Sequence, residues 1–263
     1  MPNILRLLLE GSYSEDSTSK LIMNAEDYAQ KVLLQGKTIP WHDATAYANH
    51  LSQIATLLRP HVAVISLDKM IAQELSENQK LTTAMSEKSR AGYALRTFMS
   101  DEEFRAAASA LVASSVQTQR IPVVMQLPSP LQMLYSTTRA VQPDLDYDFD
   151  DDDAENAAIY CADWLRTFNG TQIAGLIFDE REGEVAEEAY QPIKNIAEHY
   201  QWVIGVRRDN EVLFSSPKIT IPVLPSMYWT SGEVTIKTSG AIFTEIARDA
   251  VPEQVLDFRE KLS

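Results

Sequence analysis

Three short apolar runs constrain this chain more than any other feature: His61–Leu67 (HVAVISL), Ile121–Gln126 (IPVVMQ) and Ile173–Phe178 (IAGLIF). Each is too continuous for a half-exposed strand and too short for a buried helix. They read as strands covered on both faces, as in a parallel sheet. Asp68 follows the first, Pro128-Ser129-Pro130 the second and Asp179-Glu180 the third. Proline cannot continue a strand ladder, so the Pro-Ser-Pro loop fixes the exit of its strand and leads into a helix from about Leu131 to Arg139.

The same reading places further strands at 39–42, 202–206, 219–224 and 234–237, with helical material between most of them. A helix is expected over Leu21–Leu34 and another over Ala44–Leu58, capped by Asp43. Lys69–Ala113 is mostly helical, interrupted at Gly92. Ser100 and Glu103 form an S-x-x-E capping box before an Ala-rich helix. Helices follow over Glu155–Phe168, over Val185–Tyr200 with a kink at Pro192, and from Pro252 to Leu262. Ile4–Leu9 fits a strand or a helical turn.

Strands alternating with helices imply a parallel sheet. Seven or eight such units within 263 residues favour a single (β/α)8 TIM-type barrel over an open sheet. That barrel would span residues 1–263, with an N-terminal helical or loop extension over 1–38 and an acidic loop over 141–153. No G-x-G-x-x-G, HExxH or GxSxG is present, and Gly36-Lys37-Thr38 has Lys31 where a G-x-x-x-x-G-K-T phosphate loop needs its first glycine, so nucleotide-cradle and zincin or hydrolase signatures are missing.

Charge narrows the partners. The net charge is −14 and Lys and Arg are not clustered, which disfavours nucleic acid and anionic membrane surfaces. The one cysteine, Cys161, rules out an intrachain disulfide and fits a reducing compartment; no segment reaches the length of a membrane span. A cytoplasmic location is expected. The run DLDYDFDDDD (144–153) reads as a solvated loop that caps the next helix, with a divalent-cation site as the alternative; it lacks the glycine and terminal Glu of an EF-hand.

In a barrel the residues just past the strand C-termini converge on one mouth. That rule selects Asp68, Gln126, Asp179, Glu180, Arg207, Arg208, Ser226, Tyr228 and Lys237, together with His42 if 39–41 forms the first strand. Asp68, Asp179 and His42 are the candidate catalytic groups. Gln126, Glu180, Arg207, Arg208 and Tyr228 are the candidate substrate contacts, and no metal ligand is assigned. Carboxylates beside guanidiniums suit a carboxylated substrate, which Arg grips in bidentate fashion while Asp exchanges a proton.

Four segments carry a resemblance: Leu57–Met70 (LLRPHVAVISLDKM), Val123–Leu134 (VVMQLPSPLQML), Ala174–Glu180 (AGLIFDE) and Ala250–Leu262 (AVPEQVLDFREKL). Their order resembles the barrel superfamily of uroporphyrinogen decarboxylase and cobalamin-independent methionine synthase, and Asp68 falls on the decarboxylases' central aspartate. The resemblance implies a cofactor-independent lyase of decarboxylase type acting on a small carboxylated substrate. One alternative is a methyltransferase working with a divalent metal or a corrinoid or other methyl donor. Another is a non-catalytic barrel serving as a binding or assembly subunit. Self-association through the barrel exterior is compatible with all three.

Overall fold

The computed structural model describes residues 3–11, 19–144, 146–233 and 240–262. In chain order the elements are α1 (Ile4–Leu9), β1 (Lys20–Asn24), α2 (Glu26–Val32), α3 (Ala44–Leu58), β2 (Val62–Ser66), α4 (Leu67–Glu77), α5 (Gln79–Met85), α6 (Tyr93–Ser100) and α7 (Glu102–Thr118). There follow β3 (Val123–Pro128), α8 (Pro130–Val141), α9 (Asp151–Leu165), β4 (Gly175–Asp179), α10 (Gln191–Tyr200), β5 (Val203–Arg207), β6 (Glu211–Ser215), β7 (Lys218–Leu224), α11 (Tyr228–Ser231), β8 (Ala241–Glu245) and α12 (Pro252–Lys261). The eight strands pair in sequence order and close into a barrel.

The fold is thus α/β with a closed eight-stranded barrel, but the barrel is mixed. β6 pairs antiparallel with both β5 and β7, and the remaining pairings are parallel. The β5–β6–β7 meander replaces the helical crossovers expected there, since antiparallel neighbours need only tight turns.

Several sequence expectations are corrected. The first strand is Lys20–Asn24, not 39–42, and it lies inside the segment read as an extension over 1–38. Leu21-Ile22-Met23 is too short a run for periodicity to separate strand from helix. Asn24 makes the break: its Oδ1 accepts the Glu26 amide at 3.2 Å and starts α2. Trp41 and His42 form a turn instead, with the Trp41 amide on Ile39 O and the Asp43 amide on Pro40 O. Asp43 does cap α3, accepting from the Ala46 amide at 2.9 Å.

Asp101 rather than Ser100 caps α7. Pro192 does not kink a helix: α10 starts at Gln191, so the proline sits in the first turn, where its missing N–H costs nothing. Besides β1, two more strands escaped the sequence reading, β6 and β8. The strand expected at 234–237, with Lys237, lies outside the described residues.

Side-chain parity explains the core. One phase of the strands (Ile22, Val64, Val124, Ile177, Val212, Phe214, Val223, Phe243) packs together inside the barrel with Leu5, Leu8 and Leu9 of α1. The amphipathic α1 therefore plugs the N-terminal end of the barrel. Gly175 permits this approach, because a Cβ there would lie 2.4 Å from Val203 O and 3.1 Å from Leu5 Cδ2. The other phase (Ala63, Ile65, Met125, Leu176, Phe178, Ile204) packs outward against the helices. Cys161 belongs to that outer core, with its Sγ 3.5 Å from Met133 Sδ. The acidic run is anchored by the aromatics interleaved in it: Phe149 packs on Tyr135 and Tyr147 stacks on Phe149. Asp150 and Asp153 then form a capping box on α9. No helix among the described residues is long and apolar enough to cross a membrane.

Candidate active site at the C-terminal mouth of the barrel

Following the inner phase two residues beyond the apolar layer leads to Asn24, Ser66, Gln126, Asp179, Arg207 and Glu245. The register sets them as three adjacent pairs: Asn24 opposite Glu245, Ser66 opposite Gln126, and Asp179 opposite Arg207. A polar layer thus lies directly on the apolar filling of the barrel, at the end where barrels carry chemistry.

Its hydrogen bonds fix the side-chain orientations. Asn24 Oδ1 accepts from the Glu26 amide and from Ser66 Oγ at 3.1 Å, so Asn24 Nδ2 must point away, and it donates to Gln126 Oε1 at 3.2 Å. The Gln126 amide is thereby set with Nε2 toward two carboxylates, Asp68 Oδ2 at 3.1 Å and Glu245 Oε1 at 3.4 Å. The assignment needs no choice of flip, because backbone N–H can only donate.

Asp68 sits in the first turn of α4, where the helix end favours the ionised form. Burial outweighs that effect, the Lys69 charge and the Gln126 hydrogen bond, and pushes the carboxyl up to about 7. Its Oδ1 is shut off from solvent and has no hydrogen-bond partner among the described residues.

Two guanidiniums face this carboxyl layer. Arg181, from the loop after β4, holds Asp179 through Nε at 2.9 Å and Nη2 at 2.5 Å, and reaches Glu245 Oε2 through Nη1 at 2.8 Å. The Asp179 hydrogen bonds keep it firmly charged. Arg207 is 4% exposed and lies over the Phe243 ring at 5.3 Å. Its closest carboxylate, Glu245, is 3.7 Å away, and its Nε and Nη1 are buried without partners among the described residues. Burial accordingly lowers its proton affinity.

A cavity of about 260 Å³ lies over the layer, bounded by Asn24, Asp68, Lys69, Gln126, Arg181 and Glu245 among others. A larger cavity, about 770 Å³, lies at the opposite end of the barrel beside Asn3, Arg6 and Trp202. Its Lys194 is already paired with Glu187 at 2.7 Å. We place the candidate site at the smaller cavity, where buried polar groups converge.

Of the residues expected from sequence, Asp68, Gln126 and Ser226 bound the cavity, and Asp179 and Arg207 stand opposite one another in the polar layer. Glu180 and Arg208 have the opposite parity and point into the outer layer. Glu180 accepts from Tyr190 Oη at 2.9 Å and lies 3.6 Å from Arg208, which also reaches Glu184 at 3.3 Å. Burial raises the Glu180 carboxyl, so this is a packed ionic support for the β4 and β5 exits. Tyr228 is buried in the core around α12 and donates to Phe258 O at 2.7 Å. His42 is exposed in its turn and pairs with Glu74 at 2.6 Å. Neither joins the mouth. Asn24, Ser66, Arg181 and Glu245 were missed. Parity would have found Ser66, two residues past Val64, whereas Arg181 sits in a loop with no periodic signal.

A second buried polar cluster supports the β1 exit. Glu26 accepts from Tyr47 Oη at 2.9 Å and lies 3.0 Å from His50 Nε2. Among the described residues no three His, Cys, Asp or Glu side chains are grouped to hold a metal ion. Cys161 lies in the core with its thiol pushed up to about 12, so a thiolate metal site of the methyl-transfer type does not fit these residues. No family model, curated protein or solved structure matches the chain.

Proposed function

We propose that this chain is an acid–base enzyme of the lyase class, decarboxylase-like, acting on a carboxylated substrate at the C-terminal mouth of the barrel. The observation that carries this reading is that Asp68, a carboxyl near neutrality on the cavity it bounds with Arg181, shares one polar layer with the buried and unsatisfied guanidinium of Arg207. A general acid works best when its pKa is close to the working pH. A guanidinium with free N–H groups is a ready partner for an anion.

In this reading the Arg207 and Arg181 guanidiniums hold the substrate's charge. As the C–C bond to the departing carboxylate breaks and CO2 leaves, the carbon that keeps the electron pair takes the proton from Asp68. Gln126 Nε2 then stabilises the Asp68 carboxylate until solvent returns the proton. The chain resembles the uroporphyrinogen decarboxylase superfamily in this use of an aspartate after the second strand, and the barrel is proposed as a (β/α)8 barrel modified by the β5–β6–β7 meander. A small molecule is the proposed partner, with the protein resident in the cytoplasm.

The test is CO2 release from a panel of 2-oxo, 3-oxo and aromatic carboxylic acids, comparing the native chain with Asp68→Ala. At least one acid should turn over, with the variant reduced by about 10²-fold or more and its circular dichroism unchanged. Turnover that survives in Asp68→Ala refutes the role given to Asp68.

A further inference from the structure

The mouth is not closed around Asp68. Two more cavities open from the same residue, one of about 480 Å³ reaching Asp179 and Arg181, the other of about 550 Å³ reaching Tyr135 and Arg139. Both are bounded by Asp68, Ala72, Pro128, Gln132 and Ser136, so they form one cleft rather than two sites. Its walls are the facing sides of α4 and α8. Asp68, Ala72 and Leu75 follow one another along α4 at the spacing of a single helix stripe, and Gln132, Ser136 and Arg139 do the same along α8. Each stripe extends roughly 10 Å from the mouth.

The cleft is lined differently from the mouth. Ile71, Leu75, Pro128, Tyr135 and Ala140 give it apolar walls. Of its polar groups, Gln132 is already used, donating to Glu182 and to Ser136 Oγ, while Ser76 and Arg139 line the part away from the mouth. A compact acid held in the 260 Å³ cavity leaves these walls facing water.

We infer that the substrate is an elongated acid, with its carboxylate head at the Asp68 mouth and an aliphatic chain lying in the α4–α8 cleft. The inference rests on the reading of the mouth as a carboxylate site and adds the substrate class. Continuity decides it: the residue that bounds the mouth also bounds both parts of the cleft, so a chain attached to a bound head enters the cleft directly.

The test is calorimetric binding of acetate, butyrate, hexanoate and octanoate to the full chain. Affinity should rise about fourfold per methylene as each is buried against the walls. Ala72→Trp, at an exposed position of α4, should fill the cleft and flatten the series. A flat series on the native chain, with acetate bound, overturns the inference alone. A series that rises equally in Ala72→Trp also overturns it, because the chain then lies elsewhere. Absence of binding by every acid overturns the reading of the mouth and this inference with it.

Discussion

Replacing Arg207 by methionine separates a functional cation from a structural one. Taking a guanidinium out of water costs several kcal/mol, and only close, well-aligned partners recover that cost. Here recovery is poor: Nε and Nη1 are unpartnered and the nearest carboxylate oxygen is 3.7 Å away. The Phe243 face returns about 1 kcal/mol. Glu245 is not orphaned by the change, since Arg181 holds it at 2.8 Å. Methionine keeps the packing of the aliphatic stem. Arg207→Met should therefore be as stable as the native chain or up to about 2 kcal/mol more stable. Carboxylate binding should weaken at least about 30-fold, the equivalent of one charge-assisted hydrogen bond of about 2 kcal/mol. Urea unfolding at pH 7 and calorimetric titration with a carboxylate measure the two effects. A loss of more than about 3 kcal/mol with unchanged carboxylate affinity refutes the reasoning, because that is the signature of a structural ion pair broken on one side.

Three further outcomes follow from the same geometry. Because Asp68 holds its proton more tightly when folded than when unfolded, native stability should fall as pH rises from about 4 to about 7, by at most about 4 kcal/mol; Asp68→Asn should lose that slope in urea titrations, and parallel profiles count against it. Gly175→Ala should cost about 2 kcal/mol or more, since its Cβ meets the Val203 carbonyl at 2.4 Å, while Gly183→Ala, with open space around it, should be within about 0.5 kcal/mol of native by chemical denaturation. Cys161, fully buried with a thiol pushed up to about 12, should resist a thiol reagent in the native chain and react on unfolding.

The strands that carry the apolar core were legible because burial on both faces leaves continuous runs, as at Val62–Ser66 and Val123–Pro128. β1 was not, because Leu21–Met23 runs into α2 with no proline or glycine between. β6 was not, because its partial exposure gives Glu211–Ser215 a mixed pattern. The site was half legible. Strand ends gave Asp68, Gln126, Asp179 and Arg207, but adjacency alone does not say which of Asp179-Glu180 or Arg207-Arg208 faces inward. Strand parity decides that, since one residue of slip turns a side chain to the other face. Arg181 and Glu245 depend on a loop and on a strand whose place is set only by barrel closure.

The most direct measurement is the pH titration of the aspartate side-chain carboxyl carbons by nuclear magnetic resonance, with the Asp68 signal assigned by its loss in Asp68→Asn. A midpoint near 7, shifted when acetate is added, is the expected result. A midpoint near 4, the ordinary value for an aspartate, with no response to acetate contradicts it.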